Sequence, residues 1–371
     1  MLPLTPPIAP MLCKSADAVP LGDGWRYEPK WDGFRCIVFR DGPEVELTSR
    51  NERPFTRYFP ELLGPLAAAF PDRCVVDGEI VVPDRAGAGL DFDALLQRIH
   101  PAESRVRRLA GETPAAFVAF DLLALGDRSL LDVPLSERAA LLADAVRPDG
   151  ASVFVTPSTT DATLAAEWFG RFEGAGLDGI VAKRLDGLYT PDKRTLVKVK
   201  HQRTAECVVA GYRIHKDGNG VGSLLLGLYD ETGRLHHVGV AASFAATFRT
   251  ALLGELAPLL EGAVEGHPWQ EWAQWQHQTP DQRQPDQGLP DQRLPDQRLP
   301  GGGSRWNAGK DLSWVPVRAE RVAEVTFGQL QSGRFRHGVS FVRWRPDRTP
   351  SSCTYGQLDV AAAVPFESLF D

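Results

Sequence analysis

The chain has 371 residues, of which 43% are hydrophobic and 24% charged, and its formal net charge is −7. This length allows two domains, and the negative charge argues against a protein that coats nucleic acid with its whole surface. The five scattered cysteines include no C-x-x-C pair and indicate neither a disulfide framework nor a zinc site. The proline-broken start predicts no signal peptide, and no apolar run reaches the roughly 20 residues of a membrane span. We therefore expect a cytoplasmic protein.

Residues 1–203 alternate between short β-rich runs and a few helical stretches. The strand candidates are rich in Val, Ile and Phe and end near Gly, Pro or Asp. They are "WRYEPKW", "FRCIVFRD", "EVELTSR", "CVVDGEIVVP", "AAFVAFDLLAL", "VFVTPS", "GIVAKRL" and "LVKVK". Helices are predicted at "FPELLGPLAAAF", "DFDALLQRIH", "PLSERAALLADAV" and "DATLAAEWFGRF". This mixture predicts an α+β domain with mainly antiparallel sheets.

The pattern changes near residue 203, where "HQRT" predicts a hinge. The strands predicted beyond it are "AECVVAGYRIH", "VGSLLLGLYD", "LHHVGVAAS", "VAEVTFGQL" and "GVSFVRWRP", and the clear helix is "FAATFRTALLGELAPLL". Five strands and one helix favour an OB-fold β-barrel over residues 204–371.

A low-complexity insertion with recurring Pro-Asp-Gln interrupts this second domain at about residues 279–304. It offers no apolar face to bury, which predicts a disordered, extended segment. Trp269, Trp272 and Trp275 precede it. The spacing of the first two favours a helix anchored to the barrel, with a stacking platform as the alternative.

Lys30, in "YEPKWDGFRC", stands in an apolar, strand-like run. A lysine can attack phosphorus when it loses its proton and when cations and a metal offset the developing charge. Glu79 lies within a continuous apolar strand, where a charge is costly unless it is paired or ligated, so its pattern indicates a function. Lys198 and Lys200 are two residues apart and face the same side of a strand, which indicates either a solvated edge or an anion site.

The sequences of the motifs and their order along the chain resemble those of the covalent nucleotidyltransferases, the ligases and capping enzymes. "KWDGFR" resembles their K-x-D-G-x-R signature, and "SRN", "DGEI", "FVAFDLL", "DGIVAK" and "LVKVK" follow in the family's order. "WVPVRAERVAEVTF" and "FVRWRPDR" resemble the OB-domain end of ATP-dependent DNA ligases. The resemblance is greatest to the small bacterial ligase C group and to the ligase domain of bacterial ligase D. It covers the chain apart from the insertion.

The resemblance implies an ATP-dependent DNA ligase with Lys30 as the nucleophile. Lys30 would attack the α-phosphate of ATP and form lysyl-AMP, the adenylyl group would pass to the 5′-phosphate of a nick, and the 3′-hydroxyl would displace AMP. The implied nucleotide-binding residues are Glu28 and Phe120 for adenine, Arg35 and Arg50 for ribose and phosphates, Glu79 for a ribose hydroxyl, and Lys198 and Lys200 for the α-phosphate.

The resemblance also implies a divalent metal, Mg²⁺ or Mn²⁺, with Glu79 and Asp178 as candidate ligands. Most ligases carry glutamate where this chain has Asp178, so the carboxylate persists but is one methylene shorter. Arg345, Asp347 and Arg348 in "RWRPDR" match the pattern that orients pyrophosphate, which requires the OB domain to close over the nucleotide.

Nicked duplex DNA is the implied partner, held through backbone phosphates by the basic stretches at 98–108 and 183–216. Ku or a repair polymerase is a candidate protein partner, and we expect a monomer. An RNA ligase or a capping-type guanylyltransferase would use the same lysine and is the alternative within enzymes. A non-catalytic OB-fold DNA-binding protein would leave Glu79 and the ordered motifs unexplained.

Overall fold

The computed structural model describes residues 1–84, 89–277, 311–331, 333–336, 338–358 and 364–370. The chain forms two compact units, one of Met1–His201 with Val360–Asp371 and one of Gln202–Asp359. The predicted domain boundary between residues 203 and 204 stays a prediction. No pattern in the sequence indicates that the chain rejoins the first unit after the second. The Pro-Asp-Gln insertion predicted at 279–304 lies outside the described residues.

The first unit is built on two sheets. Its strands are β1 (Leu12–Ala16), β2 (Trp25–Pro29), β3 (Phe34–Asp41), β4 (Glu44–Ser49), β5 (Arg73–Val81), β6 (Ala116–Leu125), β7 (Arg128–Ser129), β8 (Val153–Val155), β9 (Ile180–Arg184) and β10 (Arg194–Val199). One sheet has the order β1-β10-β9-β2, and the other has β4-β3-β5-β6-β7 with β8 paired to β6. Pairing is antiparallel except for β1 with β10 and β6 with β8, which confirms the predicted mainly antiparallel α+β fold.

Five α-helices accompany these sheets in the described part of the first unit: α1 (Pro60–Ala69), α2 (Phe92–Arg98), α3 (Glu103–Glu112), α4 (Leu135–Ala145) and α5 (Ala162–Arg171). Asp91 and Asp161 cap α2 and α5, since their carboxylates accept backbone N–H groups of the first turn. Leucines of α1 and α2 pack with β3, β5 and β6 in one buried cluster. The sequence predicted neither β1 nor α3, because β1 has no fully buried residue, α3 buries only Val106 and Leu109, and the apolar pattern of both is weak.

The second unit contains β11 (Arg203–Ile214), β12 (Val221–Tyr229), β13 (Leu235–Ala242), α6 (Ala246–Leu256), α7 (Gln270–His277), β14 (Val315–Phe327), β15 (Gln329–Gln331), β16 (Arg334–Arg336) and β17 (Ser340–Trp344). Five strands form one sheet in the order β13-β12-β11-β14-β17, while β15 and β16 form a hairpin that was not predicted. Across the described residues, the outer strands approach at an isolated bridge between Ala241 and Val339. The five-stranded prediction is confirmed, and the barrel is incompletely closed.

Trp269 and Trp272 are buried in the core of the second unit, at the start of α7. The indole N–H of Trp269 donates to the carbonyl oxygen of Leu235 at 2.9 Å. The interpretation of these two tryptophans as helix anchors is therefore confirmed, while the side chain of Trp275 lies outside the described part. No helix among the described residues is long and apolar enough to cross a membrane.

Candidate active site around Lys30

Lys30 directly follows β2 and is fixed to the segment that leads into β9. Its backbone N–H donates to Gly179 O at 2.8 Å, and the N–H of Asp178 donates to Lys30 O at 3.0 Å. Gly179 has φ of +126°, and a Cβ there would lie 2.0 Å from Val199 O. Only glycine fits so close to β10 with this backbone, so the Asp-Gly pair at 178 and 179 places the Asp178 carboxylate beside Lys30.

Two lysines pair with the Asp178 carboxylate. Lys30 Nζ lies 2.7 Å from Asp178 Oδ2, and Lys200 Nζ contacts the same oxygen. Burial alone would raise the pKa of Asp178, but the attraction of Lys30 and Lys200 outweighs it and lowers that pKa. Burial and repulsion by Lys200 and Lys30 lower the pKa of Lys198, the neighbouring lysine of β10. Two ammonium groups on one carboxylate oxygen, with Lys198 on the adjoining strand, favour an anion site over a solvated strand edge.

Glu79 on β5 provides a second carboxyl group near Lys30. Its side chain is partly exposed, yet the packing around the carboxyl group removes enough water to raise its pKa to about 7, against the lowering effect of Arg35 and Lys30. Glu79 pairs with Arg35 across the β3–β5 ladder. A Cβ at Gly33 would lie 2.2 Å from Ile80 O, so the glycine after Asp32 allows the chain following Lys30 to pass close to β5.

Arg35 is held by Asp77, the other acidic residue of β5. Its Nε and NH2 donate to the two carboxylate oxygens of Asp77, each at 2.5 Å, and Tyr189 donates its hydroxyl to Asp77 at 2.6 Å. Burial alone would lower the pKa of Arg35, but Asp77 outweighs it and raises that pKa. Tyr189 escaped the sequence reasoning because it is 112 residues from Asp77 and no local pattern marks it.

Phe120 on β6 lies against two cations. The Cζ of Arg35 is 4.4 Å and the Nζ of Lys183 is 4.7 Å from the centre of its ring. Lys183 also donates to Phe120 O at 3.2 Å and lies 2.7 Å from Glu28 Oε2, and both of these charged side chains are buried. Arg26 donates to the other oxygen of Glu28 at 3.1 Å. Lys183 belongs to "DGIVAK", so a signal for it was present in the sequence.

The predicted residues of the first unit therefore come from both of its sheets. β2, β9 and β10 and the residues adjoining them provide Lys30, Glu28, Asp178, Lys198 and Lys200, while β3, β5 and β6 provide Arg35, Glu79 and Phe120. Lys183 connects the two sheets through its contacts with Phe120 and Glu28. The sequence could not show this convergence, because the pairing of the strands decides it.

Arg50 is placed differently. Its backbone N–H donates to Arg35 O at 3.2 Å, but its side chain is exposed just beyond β4. In the residues that the structure describes, its guanidinium forms no ion pair. The structure thus brings the backbone of Arg50 next to the site, and its contact with ribose, phosphate or DNA stays a prediction.

One arginine of the basic stretch at 98–108 is unavailable to DNA. Arg98 is fully buried, and its guanidinium donates to both carboxylate oxygens of Glu61, at 2.6 and 2.9 Å. The prediction that Arg98 contacts phosphate is wrong, because its basic neighbours in the sequence conceal an ion pair in the core. Arg107 and Arg108 on α3 are exposed, and each pairs with a glutamate one turn away.

Arg345, Asp347 and Arg348 belong to one ion-pair network in the second unit. Arg345 donates to Asp347 at 2.9 and 2.8 Å and also contacts Glu206 and Glu324, while Arg348 lies 3.2 Å from Glu206. Glu206 and Glu324 lie directly opposite each other on β11 and β14. Their two negative charges would repel each other without a cation between them. Most donors of Arg345 are therefore occupied by carboxylates.

A metal fits this site only with help from phosphate oxygens. Among the described residues, no group of three or more His, Cys, Asp or Glu side chains could hold an ion. Asp178 is already paired with two lysines, and Glu79 offers one further carboxyl group. Mg²⁺ is commonly held by one or two carboxylates together with substrate phosphates, so the donor set suits a metal that arrives with a nucleotide.

A lysine paired with a carboxylate, two further lysines and a glutamate, brought together from two sheets, are of the types that a nucleotidyltransferase site requires. The comparisons agree with this class. Residues 10–200 match the ATP dependent DNA ligase domain, and residues 217–348 match the ATP dependent DNA ligase C terminal region. The chain belongs to the ATP-dependent DNA ligase family.

Particular relatives match nearly the whole chain. It is 56% identical to DNA ligase C2 of Mycolicibacterium smegmatis over 359 residues, 96% of each chain. It is 54% identical to DNA ligase C of Mycobacterium tuberculosis over 373 residues, 99% of this chain and 98% of the relative. A solved Lig E DNA ligase, 16% identical, has a TM-score of 0.51 and covers 91% of this chain and 99% of its own, a likeness of fold alone.

Proposed function

We propose that this chain seals nicks in duplex DNA through a lysyl-AMP intermediate on Lys30. The observation that carries the proposal is the pairing of Lys30 and Lys200 with one oxygen of Asp178, with Lys30 Nζ 2.7 Å from that oxygen and Lys198 on the adjoining strand. Lys30 would provide the nucleophilic amine, and Lys198 and Lys200 would provide the anion site beside it. The α-phosphate of ATP requires both, because the reaction is an in-line displacement whose catalysis is mostly positioning and charge neutralisation.

In the first step, Lys30 Nζ loses its proton and forms a bond to the α-phosphorus while the bond to pyrophosphate breaks. Next, a 5′-phosphate oxygen at the nick displaces Lys30 and takes the adenylyl group. The 3′-hydroxyl then loses its proton and forms a bond to the phosphorus of the adenylated 5′-phosphate of the DNA, while the bond from that phosphorus to AMP breaks and AMP leaves. Lys198 and Lys200 stabilise the charge at the α-phosphate, and Asp178 holds the lysine side chain between reactions.

The remaining residues of the site would bind the nucleotide. Phe120 and Glu28 would contact adenine, Arg35 would act at the ribose and phosphates, and Arg50 at the phosphates or the DNA end. A bound divalent metal would neutralise phosphate charge, with Glu79 and Asp178 as its protein ligands. Arg345, Asp347 and Arg348 would orient pyrophosphate.

We also infer a role in DNA repair, as a monomer acting on nicked DNA and recruited by Ku or a repair polymerase. Its relatives come from bacteria, whose chromosome lies in the cytoplasm, and the proposed location is the same. Binding would depend on phosphate contacts and would weaken steeply as the salt concentration rises.

Incubation with ATP labelled at the α-phosphate and Mg²⁺ tests the chemistry. We expect covalent label on the wild type, none on Lys30→Ala, and wild-type labelling of Lys14→Ala, which removes an exposed lysine of β1. Absence of label on the wild type would exclude the proposed reaction. Preparations that label are then given nicked duplex DNA or nicked duplex RNA, and faster sealing of the RNA would favour the RNA ligase alternative.

A further inference from the structure

The segment of residues 364–370 lies far along the chain from Lys30, yet it packs behind the proposed nucleophile. It rejoins the first unit after the whole second unit. Val364 donates its N–H to Gly174 O at 3.2 Å, and Glu367–Leu369 form a short 3₁₀ helix. Phe366 and Leu369 are 3% and 2% exposed, so the segment is part of the core of this unit.

The aromatic rings of this segment contact Trp31, the residue after Lys30. Phe370 stacks on Trp31 with ring centres 5.4 Å apart, and Phe366 meets the same indole edge-on at 6.2 Å. Both rings also pack on Phe154, at 5.1 and 4.4 Å between centres. The indole N–H of Trp31 donates to Thr156 Oγ1 at 2.9 Å, so Trp31 is fixed by one hydrogen bond and two rings.

The same apolar cluster contains residues in or next to several positions of the proposed site. Besides Trp31 it contains Val81 near Glu79, Phe120 itself, and Leu177 beside Asp178. Close-packed cores transmit even small volume changes to their neighbours. A change in the rings of the 364–370 segment would therefore shift Trp31 and the backbone of Lys30 next to it.

We propose that the 364–370 segment is a positioning element for Lys30, acting through Trp31 on the rate of lysyl-AMP formation. The inference rests on the proposed function and extends it to residues that no sequence motif marks. The segment touches no reacting atom. It fixes where the nucleophile stands, and a misplacement of about 1 Å costs on the order of 100-fold in rate.

The test compares two reactions of the full chain carrying Phe366→Ala and Phe370→Ala. We expect lysyl-AMP formation at saturating ATP to fall roughly 10- to 100-fold with little change in KM for ATP. Sealing of a nick that already carries the adenylyl group should change little, because Lys30 is not the nucleophile in that step. The single variant Phe370→Tyr, which retains the stacking ring, should keep most of the wild-type labelling rate.

Phe70→Ala is the matched control, since Phe70 is a buried phenylalanine of a separate cluster in the same unit. It should leave the labelling rate of folded protein near that of the wild type. If the double variant does not fold, Phe370→Leu at the half-buried position replaces it. Equal loss in both reactions, equal loss in the control, or unchanged labelling would each overturn the inference. Failure of the wild type to label would instead refute the proposed function.

Discussion

Replacing Glu79 by Gln should change the pH dependence of stability in a defined direction. Burial raises the pKa of Glu79 from its ordinary 4.5 to about 7. Between these values the folded protein holds a proton that the unfolded chain has lost, so the free energy of unfolding falls as pH rises through this range. At about 1.4 kcal/mol per pKa unit the full effect is about 3 kcal/mol, and partial exposure of the side chain reduces our expectation to about 1–2 kcal/mol.

Urea unfolding at pH 5 and pH 8 measures this effect. We expect Glu79→Gln to be about 1–2 kcal/mol more stable relative to the wild type at pH 8 than at pH 5, because glutamine carries no charge to bury. Glu46→Gln on β4 is the control, since it removes one exposed negative charge from the neighbouring part of the sheet. The reasoning is refuted if Glu79→Gln shifts stability equally at both pH values, or shifts it in the opposite direction.

Asp178→Asn should lower the free energy of unfolding by about 1–3 kcal/mol in urea titrations and slow the labelling of Lys30, because the variant leaves the ammonium groups of Lys30 and Lys200 without their carboxylate. Unchanged stability would contradict this reasoning, since it would show that the lysine side chains turn into solvent at no cost when the carboxylate is removed. In the second unit, Arg345→Ala should destabilise the protein more than Arg348→Ala does, since Arg345 contacts both opposed glutamates, Glu206 and Glu324, while Arg348 contacts Glu206. Equal losses in thermal or urea unfolding of the two arginine variants would contradict this account of the network.

Local patterns in the sequence were enough to predict most strands and several residues of the site. Lys30, Glu79 and Phe120 each lie in or next to an apolar run whose pattern marks a strand. The glycines that follow Asp32, Asp77 and Asp178 lie where a Cβ would clash. Burial of charged residues inside such runs is costly, which is why Glu79 was recognisable without a partner in view. The order of these motifs along the chain predicted the family.

Tertiary structure decided the partners of those residues. Asp178 meets Lys30 and Lys200 because β2, β9 and β10 pair, and Asp77 meets Tyr189 across 112 residues. Arg98 appeared as a surface cation in sequence but is buried against Glu61. A sequence pattern reports whether a side chain faces a core or the solvent, but the residue it meets there depends on which strands and segments pack together. The contact of residues 364–370 with Trp31, next to Lys30, is likewise decided by which segments pack together and not by a sequence pattern.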